Sequence, residues 1–242
     1  MGRIAPAPLA DAPAQGHLSP VRDIRKIVDA GIDRRTVLAG AGGALLAALA
    51  RPAVSLAATP GADAADVGRI EDYLNGIRTL KARFVQTAST GSYAEGMVYI
   101  QRPGRMRLDY APPAELQIYA DGTWLIMVDE GLREVNQLPL SATPASVLVA
   151  DEVRLGGKIA VTRIERGAQT LRVHLTQAEE PEAGTLILTF ADAPLALRQW
   201  SVIDAQGVTT RVALLDAEFN GDIPRRVLTY VPPDWSMGFD NQ

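Results

Sequence analysis

Reaction chemistry has few residues to draw on in this chain. Catalysis by a triad needs a base beside a nucleophile, and the sequence holds no cysteine and two histidines. His17 falls in an N-terminal stretch read below as a removable leader, which leaves His174. Leu171, Val173 and Leu175 alternate with Arg172 and His174. That alternation puts His174 on the polar phase of a strand, where a solvated surface role is expected rather than catalysis. A single histidine without cysteines also makes no ordinary zinc site. Glu179, Glu180 and Glu182 surround Pro181 and read as a solvated loop, not as a carboxylate pair or a calcium site. Gly156-Gly157 is a turn signal with no phosphate-loop pattern around it. Trp124, Trp200 and Trp235 are expected in the core rather than as ligand platforms. The expectation is a protein that is not an enzyme and uses neither metal nor cofactor.

What the sequence does offer is apolar patterning, densest from Gly96 to Pro113. Val98, Tyr99 and Ile100 precede a tight Arg102-Pro103-Gly104 turn, and Pro112-Pro113 ends the unit. Between them Met106, Leu108 and Tyr110 alternate with Arg105, Arg107 and Asp109. Two strands with one apolar and one wet face follow from that period of two. A sheet with one apolar face must cover it.

Targeting sets the compartment. Asp33-Arg34-Arg35-Thr36-Val37-Leu38 precedes an apolar run from Ala39 to Ala50, and Ser55-Leu56-Ala57 supplies small residues for cleavage. This is a signal peptide, and the paired arginines favour the Tat route over Sec. A transmembrane anchor would need ~20 apolar residues, more than this run provides. Residues 1–57 are therefore read as leader and signal peptide, with residues 58–242 as one domain in the periplasm. Met1 to Ile32 is rich in Pro and Ala and long for a leader, which fits either a disordered extension or an upstream start codon. The leader takes seven of the 24 basic and four of the 28 acidic residues, so the remainder carries a net charge of −7. An acidic surface is a poor match for nucleic acid or anionic membranes. An enzyme exported already folded around a cofactor is a competing class, which an absorption spectrum separates.

The remaining elements follow from the period. Val67, Ile70, Leu74 and Ile77 recur at helical spacing. From Leu80, Ala82 and Phe84 onward the period is two. Leu116, Ile118 and Ala120 lead into an Asp121-Gly122 turn, then Trp124 to Val128 is a continuous apolar run. Leu186, Leu188 and Phe190 alternate with Thr185, Ile187 and Thr189, and Leu197 to Ile203 turns at Gln206-Gly207 into Val208, Thr210, Val212 and Leu214. Ten or eleven short strands with close turns make an antiparallel sheet or barrel. Leu138 to Leu155 interrupts them. There Thr143 is placed to cap and Pro144 to open a short helix that includes Val147 and Leu148. With the first helix, it is placed to cover the open face.

These pieces, in this order, resemble the periplasmic outer-membrane lipoprotein carriers, the LolA family. The resemblance rests on the Gly-x-Val-Tyr-Ile strand from Gly96, Arg102-Pro103-Gly104, Arg107-Leu108-Asp109-Tyr110, Pro112-Pro113 and Tyr119-Ala120-Asp121-Gly122. Phe84-Val85-Gln86 and Val231-Pro232-Pro233 add to it. The resemblance implies a mainly β protein, an open antiparallel half-barrel under a helical lid. It implies an acyl cavity, assigned to Phe84, Met106, Leu108, Tyr110, Ile118, Ile126 and Val128, with Val147 and Leu148 on the lid. It implies that Arg102 holds sheet to lid. It further implies a monomer that takes acylated lipoproteins from an inner-membrane releasing transporter to an outer-membrane acceptor. Aromatic residues are frequent in that family where Leu108, Ile126 and Val128 stand here, so a more aliphatic cavity is expected. A lipid or lipoprotein sensor of the same fold, acting in a signalling pathway, is the alternative reading.

Overall fold

A computed structural model describes residues 60–236. The leader, its apolar run and its cleavage site lie outside the described residues. Among the described residues, no helix is long and apolar enough to cross a membrane.

The helical stripe becomes α1 (Pro60–Asn75), and the period-two stretches become eleven strands. These are β1 (Thr79–Ala88), β2 (Tyr93–Gln101), β3 (Arg105–Tyr110), β4 (Leu116–Asp121), β5 (Trp124–Asp129) and β6 (Glu134–Pro139), then β7 (Ile159–Arg166), β8 (Thr170–Gln177), β9 (Gly184–Asp192), β10 (Leu195–Asp204) and β11 (Thr209–Phe219). They form one sheet in the order β6-β5-β4-β3-β2-β1-β11-β10-β9-β8-β7. All neighbours run antiparallel, and β1 joins the two halves by pairing with both β2 and β11. The edges β6 and β7 do not pair, so the sheet is open and not a closed barrel. The chain between these edges carries the lid helix α2 (Ala145–Val149).

Register puts one apolar set on one face. Opposed residues in an antiparallel pair share a face, and the pairs run Phe84 with Gly96, Gly96 with Tyr110, Leu108 with Ile118 and Ile118 with Met127. In the other half, Gln86 faces Val212, Val212 faces Trp200 and Trp200 faces Leu188. The helix α1 lies on this inner face, burying Ile70 and Leu74. Its Tyr73 ring meets Phe190 edge-on at 5.7 Å, and the Tyr73 hydroxyl accepts a hydrogen bond from the Leu197 amide at 2.9 Å.

The outer face differs from expectation. Arg107 and Asp109 are half-buried rather than wet, because the C-terminal segment crosses them. The Arg107 guanidinium binds Asp109 Oδ1 at 2.6 Å, donates to the Val227 carbonyl at 3.0 Å and lies 5.0 Å from the Tyr119 ring centre. Tyr119, Ile126 and Val128 form a second cluster there, against Val135, Tyr230 and Trp235.

Thr143 does not cap α2. Pro144 stands at the cap position, and the Thr143 hydroxyl turns back to the Leu140 carbonyl at 2.8 Å. Of the tryptophans expected inside, Trp200 is buried, Trp235 is half-buried and Trp124 is 41% exposed. His174 is less solvated than its strand phase implied: its side chain is 18% exposed, with Nε2 3.3 Å from Glu165 Oε1.

Gly96 shows how tightly the strands cross. A Cβ there would stand 1.9 Å from the Asp109 carbonyl oxygen and 2.9 Å from Phe84 Cε1. In α1, by contrast, a Cβ on Gly68 would meet nothing within 4 Å. Gly96→Ala should therefore lower unfolding free energy by about 1–3 kcal/mol through overpacking. Gly68→Ala should raise it by about 0.5–1 kcal/mol, since alanine costs less backbone entropy in a helix. Urea unfolding of both variants checks the pair of signs.

Candidate functional site

Helices end with carbonyls that lack intrahelical partners. Here two such ends converge on one turn. Arg102, buried at 8% exposure, donates from Nε to the Leu148 carbonyl of α2 at 3.0 Å and from Nη1 to the Leu74 carbonyl of α1. Two residues on, the Gly104 amide donates to the Val149 carbonyl at 2.7 Å. The turn therefore ties both covering helices to the sheet. Burial lowers the Arg102 pKa, and the like charge of Arg78 adds to this. A guanidinium nevertheless keeps its proton in a protein, and among the described residues no carboxylate pairs with it. Carbonyl dipoles at helix C-termini hold the charge instead.

Gly104 has a φ of 78° and a Cβ there would stand 2.7 Å from the Gly122 Cα. The Arg102-Pro103-Gly104 turn and the Asp121-Gly122 turn are thus packed backbone against backbone. Further bonds fasten the chain after α2 to α1. Asn75 exchanges two hydrogen bonds with Val153, at 3.1 and 2.8 Å, and the Leu155 amide donates to Glu71.

Between this lid and the sheet lies an apolar cavity with about 110 Å³ of free space. Met106, Leu108 and Tyr110 of β3 line it with Ile118 of β4 and Leu125 and Met127 of β5. Leu186, Trp200, Val202 and Val212 line it from the other half of the sheet, and Ala145 and Leu148 from the lid. So four of the residues expected at an acyl cavity converge, Met106, Leu108, Tyr110 and Ile118, together with Leu148 of the expected lid. Phe84 instead packs behind, edge-on to the Tyr110 ring at 5.1 Å. Val147 points the other way, into grooves between α2 and β7–β9 with Ile159 and Gln177.

Ile126 and Val128 do not face the cavity; they lie in the outer cluster. Their neighbours Leu125 and Met127 take the inner phase. The strand is apolar on both faces because the C-terminal segment covers the second one, so its sequence carries no alternation to set the phase. Pairing sets it: Ile118 opposes Met127, and Tyr119 opposes Ile126. This register was the missed signal.

A family profile described as "Outer membrane lipoprotein carrier protein LolA" matches residues 75–230. An "Outer-membrane lipoprotein carrier protein" of Leptothrix cholodnii is 30% identical over 181 residues, spanning 71% of this chain and 84% of its own. The chain belongs to the LolA family. Another carrier of that name, from Chromohalobacter salexigens, is 27% identical over 200 residues, covering 79% and 92% of the two chains. The solved structure of a LolA superfamily protein from Nitrosomonas europaea aligns over 68% of this chain and 97% of its own, with 13% identity and a TM-score of 0.41, too loose to carry any argument.

Replacing Arg102 with leucine keeps much of the stem but leaves the Leu74 and Leu148 carbonyls without their donor. The expected cost is about 1–3 kcal/mol. It should appear locally: amides of α2 and the last turn of α1 should exchange hydrogen faster, while β8–β10 stay protected. Hydrogen exchange followed by mass spectrometry reads the difference.

Proposed function

We propose that this protein carries lipoproteins through the periplasm, taking their acyl chains into the cavity between sheet and lid. The cargo comes from an inner-membrane releasing transporter and goes to an outer-membrane acceptor. The carrier works as a monomer, by binding alone and without catalysis. Residues 1–57 are its export leader, and residues 58–242 the carrier domain. The observation that supports this reading best is an apolar cavity under a lid that is fastened to the sheet by one buried arginine.

The size of the cavity decides how it must work. An engineered apolar cavity of ~150 Å³ admits one benzene. About 110 Å³ therefore takes no long acyl chain while the lid is down. The lid must lift for cargo to enter. Met106 and Met127 suit walls that change shape, because an unbranched thioether side chain repacks readily.

Energetics favour this cycle. Each buried acyl CH₂ contributes ~0.8 kcal/mol. Two or three long chains, fully buried, would pass the ~20 kcal/mol at which affinities saturate, and such a carrier would not release cargo. Lifting the lid breaks the contacts of Leu148 and the bonds of Arg102, and those losses offset part of the acyl gain. Return of the lid then helps expel the cargo.

Leu108→Glu places a charge in the cavity and should abolish binding of a fluorescent acyl probe, with circular dichroism showing a retained fold. Ile126→Ala, on the outer face, should destabilise the protein by about 2–5 kcal/mol yet leave probe affinity unchanged. Equal effects on binding from both variants would exclude this cavity as the acyl site. Mass spectrometry of what copurifies from the periplasm identifies the cargo.

The lid makes a separate demand. Arg102→Leu should load lipoprotein but pass it on slowly, since the closed state is less favoured. Transfer of radiolabelled lipoprotein from loaded carrier to acceptor measures this. Transfer at the rate of the unmodified protein would reduce Arg102 to a turn residue.

A further inference from the structure

One end of the cavity is not apolar. Gln86 and Thr210 both line it, at 4% and 5% exposure. The Tyr110 hydroxyl donates to Gln86 Oε1 at 2.8 Å, which leaves the side-chain amide nitrogen of Gln86 as a donor at the cavity wall. Burial pushes the Tyr110 phenol up, so it stays a donor to Gln86 at neutral pH. Thr210 Oγ1 is buried and has no hydrogen-bond partner. A buried hydroxyl without a partner is costly to keep, and most such groups in folded proteins are satisfied. Gln86 and Thr210 stand on the paired strands β1 and β11, two positions apart, since Gln86 opposes Val212 and Thr210 opposes Ala88.

The position of these groups along the sheet gives them a use. Leu80 opposes Ile100, and Ile100 opposes Met106, so this level adjoins the Arg102 turn and the lid. Gln86 lies six residues farther along β1, about 20 Å away at the rise of a strand. Just past it, β1 ends at Ala88 and the chain turns through exposed Ser89 and Thr90. The polar end is therefore next to the rim, and the Met106 and Leu148 end lies beneath the lid.

We infer that Gln86 and Thr210 form a carbonyl subsite, which hydrogen-bonds the ester or amide group at the head of a bound acyl chain. The chain then lies with its carbonyl at the rim and its methyl end beneath the lid, between Met106 and Leu148. This rests on the reading of the cavity as an acyl site and adds direction to it. A ligand carbonyl accepts two hydrogen bonds, one from the Gln86 amide and one from the Thr210 hydroxyl. A ligand carbonyl would give the buried Thr210 hydroxyl a partner, so the subsite favours acyl esters over plain hydrocarbon.

The test compares methyl hexadecanoate with hexadecyl methyl ether, two chains that differ by one carbonyl, in competition with a fluorescent acyl probe. The unmodified protein should prefer the ester by roughly two- to tenfold, the worth of one net hydrogen bond. Thr210→Val removes the hydroxyl at constant shape. It should abolish most of that preference and not lower the melting temperature. Gln86→Met should remove the remainder. Direction is read separately, in a Trp124→Phe, Trp235→Phe background where Trp200 reports. Trp200 opposes Val212 and so lies level with Gln86. Bromine at carbon 2 of the ester should therefore quench it more than bromine at carbon 16. Equal affinity for ester and ether, a preference that survives both substitutions, or stronger quenching from carbon 16 each overturns the subsite while leaving the acyl cavity standing. Failure of both chains to displace the probe overturns the cavity reading as well, and the subsite with it.

Discussion

A buried cation without a counter-ion is the constraint around which this molecule is arranged. Arg102 has left water, and among the described residues it meets carbonyls rather than a carboxylate. Such a charge is tolerable only while its donors are satisfied. Its donors reach α1 and α2 at once, so one side chain of the sheet fastens both the first helix and the lid. A carboxylate partner would have tied the arginine to one element, and the lid would then open without disturbing it. Carbonyl partners on two elements make opening costly by a defined amount and local in extent. Gly104 reinforces this by bonding Val149 and by letting the backbone of one turn rest against the other.

The open topology explains why a lid exists. Eleven strands curl far enough to make a concave apolar face, yet β6 and β7 stay apart. Closing the sheet would have sealed the interior or filled it with side chains. Leaving it open exposes apolar surface that water disfavours, and the connection between the two edge strands is the one segment that must cross that gap. The cover therefore comes from the chain's own route. The lid's two sides also differ: Leu148 faces the cavity, while Val147 faces grooves against β7–β9. A helix with free space behind it has room to move without unpacking the strands.

How far the sequence revealed this depends on whether each face had a single environment. Where one face is buried and the other wet, as in β1 and β8, alternation gave both the strand and the phase, and Leu80, Ala82 and Phe84 are buried as the period requires. Where both faces are covered, as in β5, the apolar run identified a strand but hid its phase. Its apolar run therefore points Ile126 and Val128 at the cavity that Leu125 and Met127 line. His174 was expected to be wet for a related reason: its strand phase was legible, but its neighbour Glu165 on β7 was not. Arg102 became legible only through resemblance, because nothing local tells a turn arginine from one that reaches two helices. The polar pair at the far end of the cavity had no sequence signal. Gln86 and Thr210 look like ordinary strand residues until pairing puts them on one face.

Those two residues matter for how a carrier avoids becoming a trap. A wholly apolar cavity binds any chain in either direction, and its affinity grows with every buried methylene. Release then slows as the cargo lengthens. A polar end changes this balance, because its hydrogen bonds add a fixed amount that does not depend on chain length. A carbonyl held at one end would also define direction, leaving the part of the ligand beyond it at the rim. The methyl end would lie under the lid, beside Leu148. Closing the lid would then push first on the end of the chain with no polar contacts, and the carbonyl would be the last group to leave. In that arrangement the apolar lid sets when cargo is expelled, and the polar rim sets which way it goes.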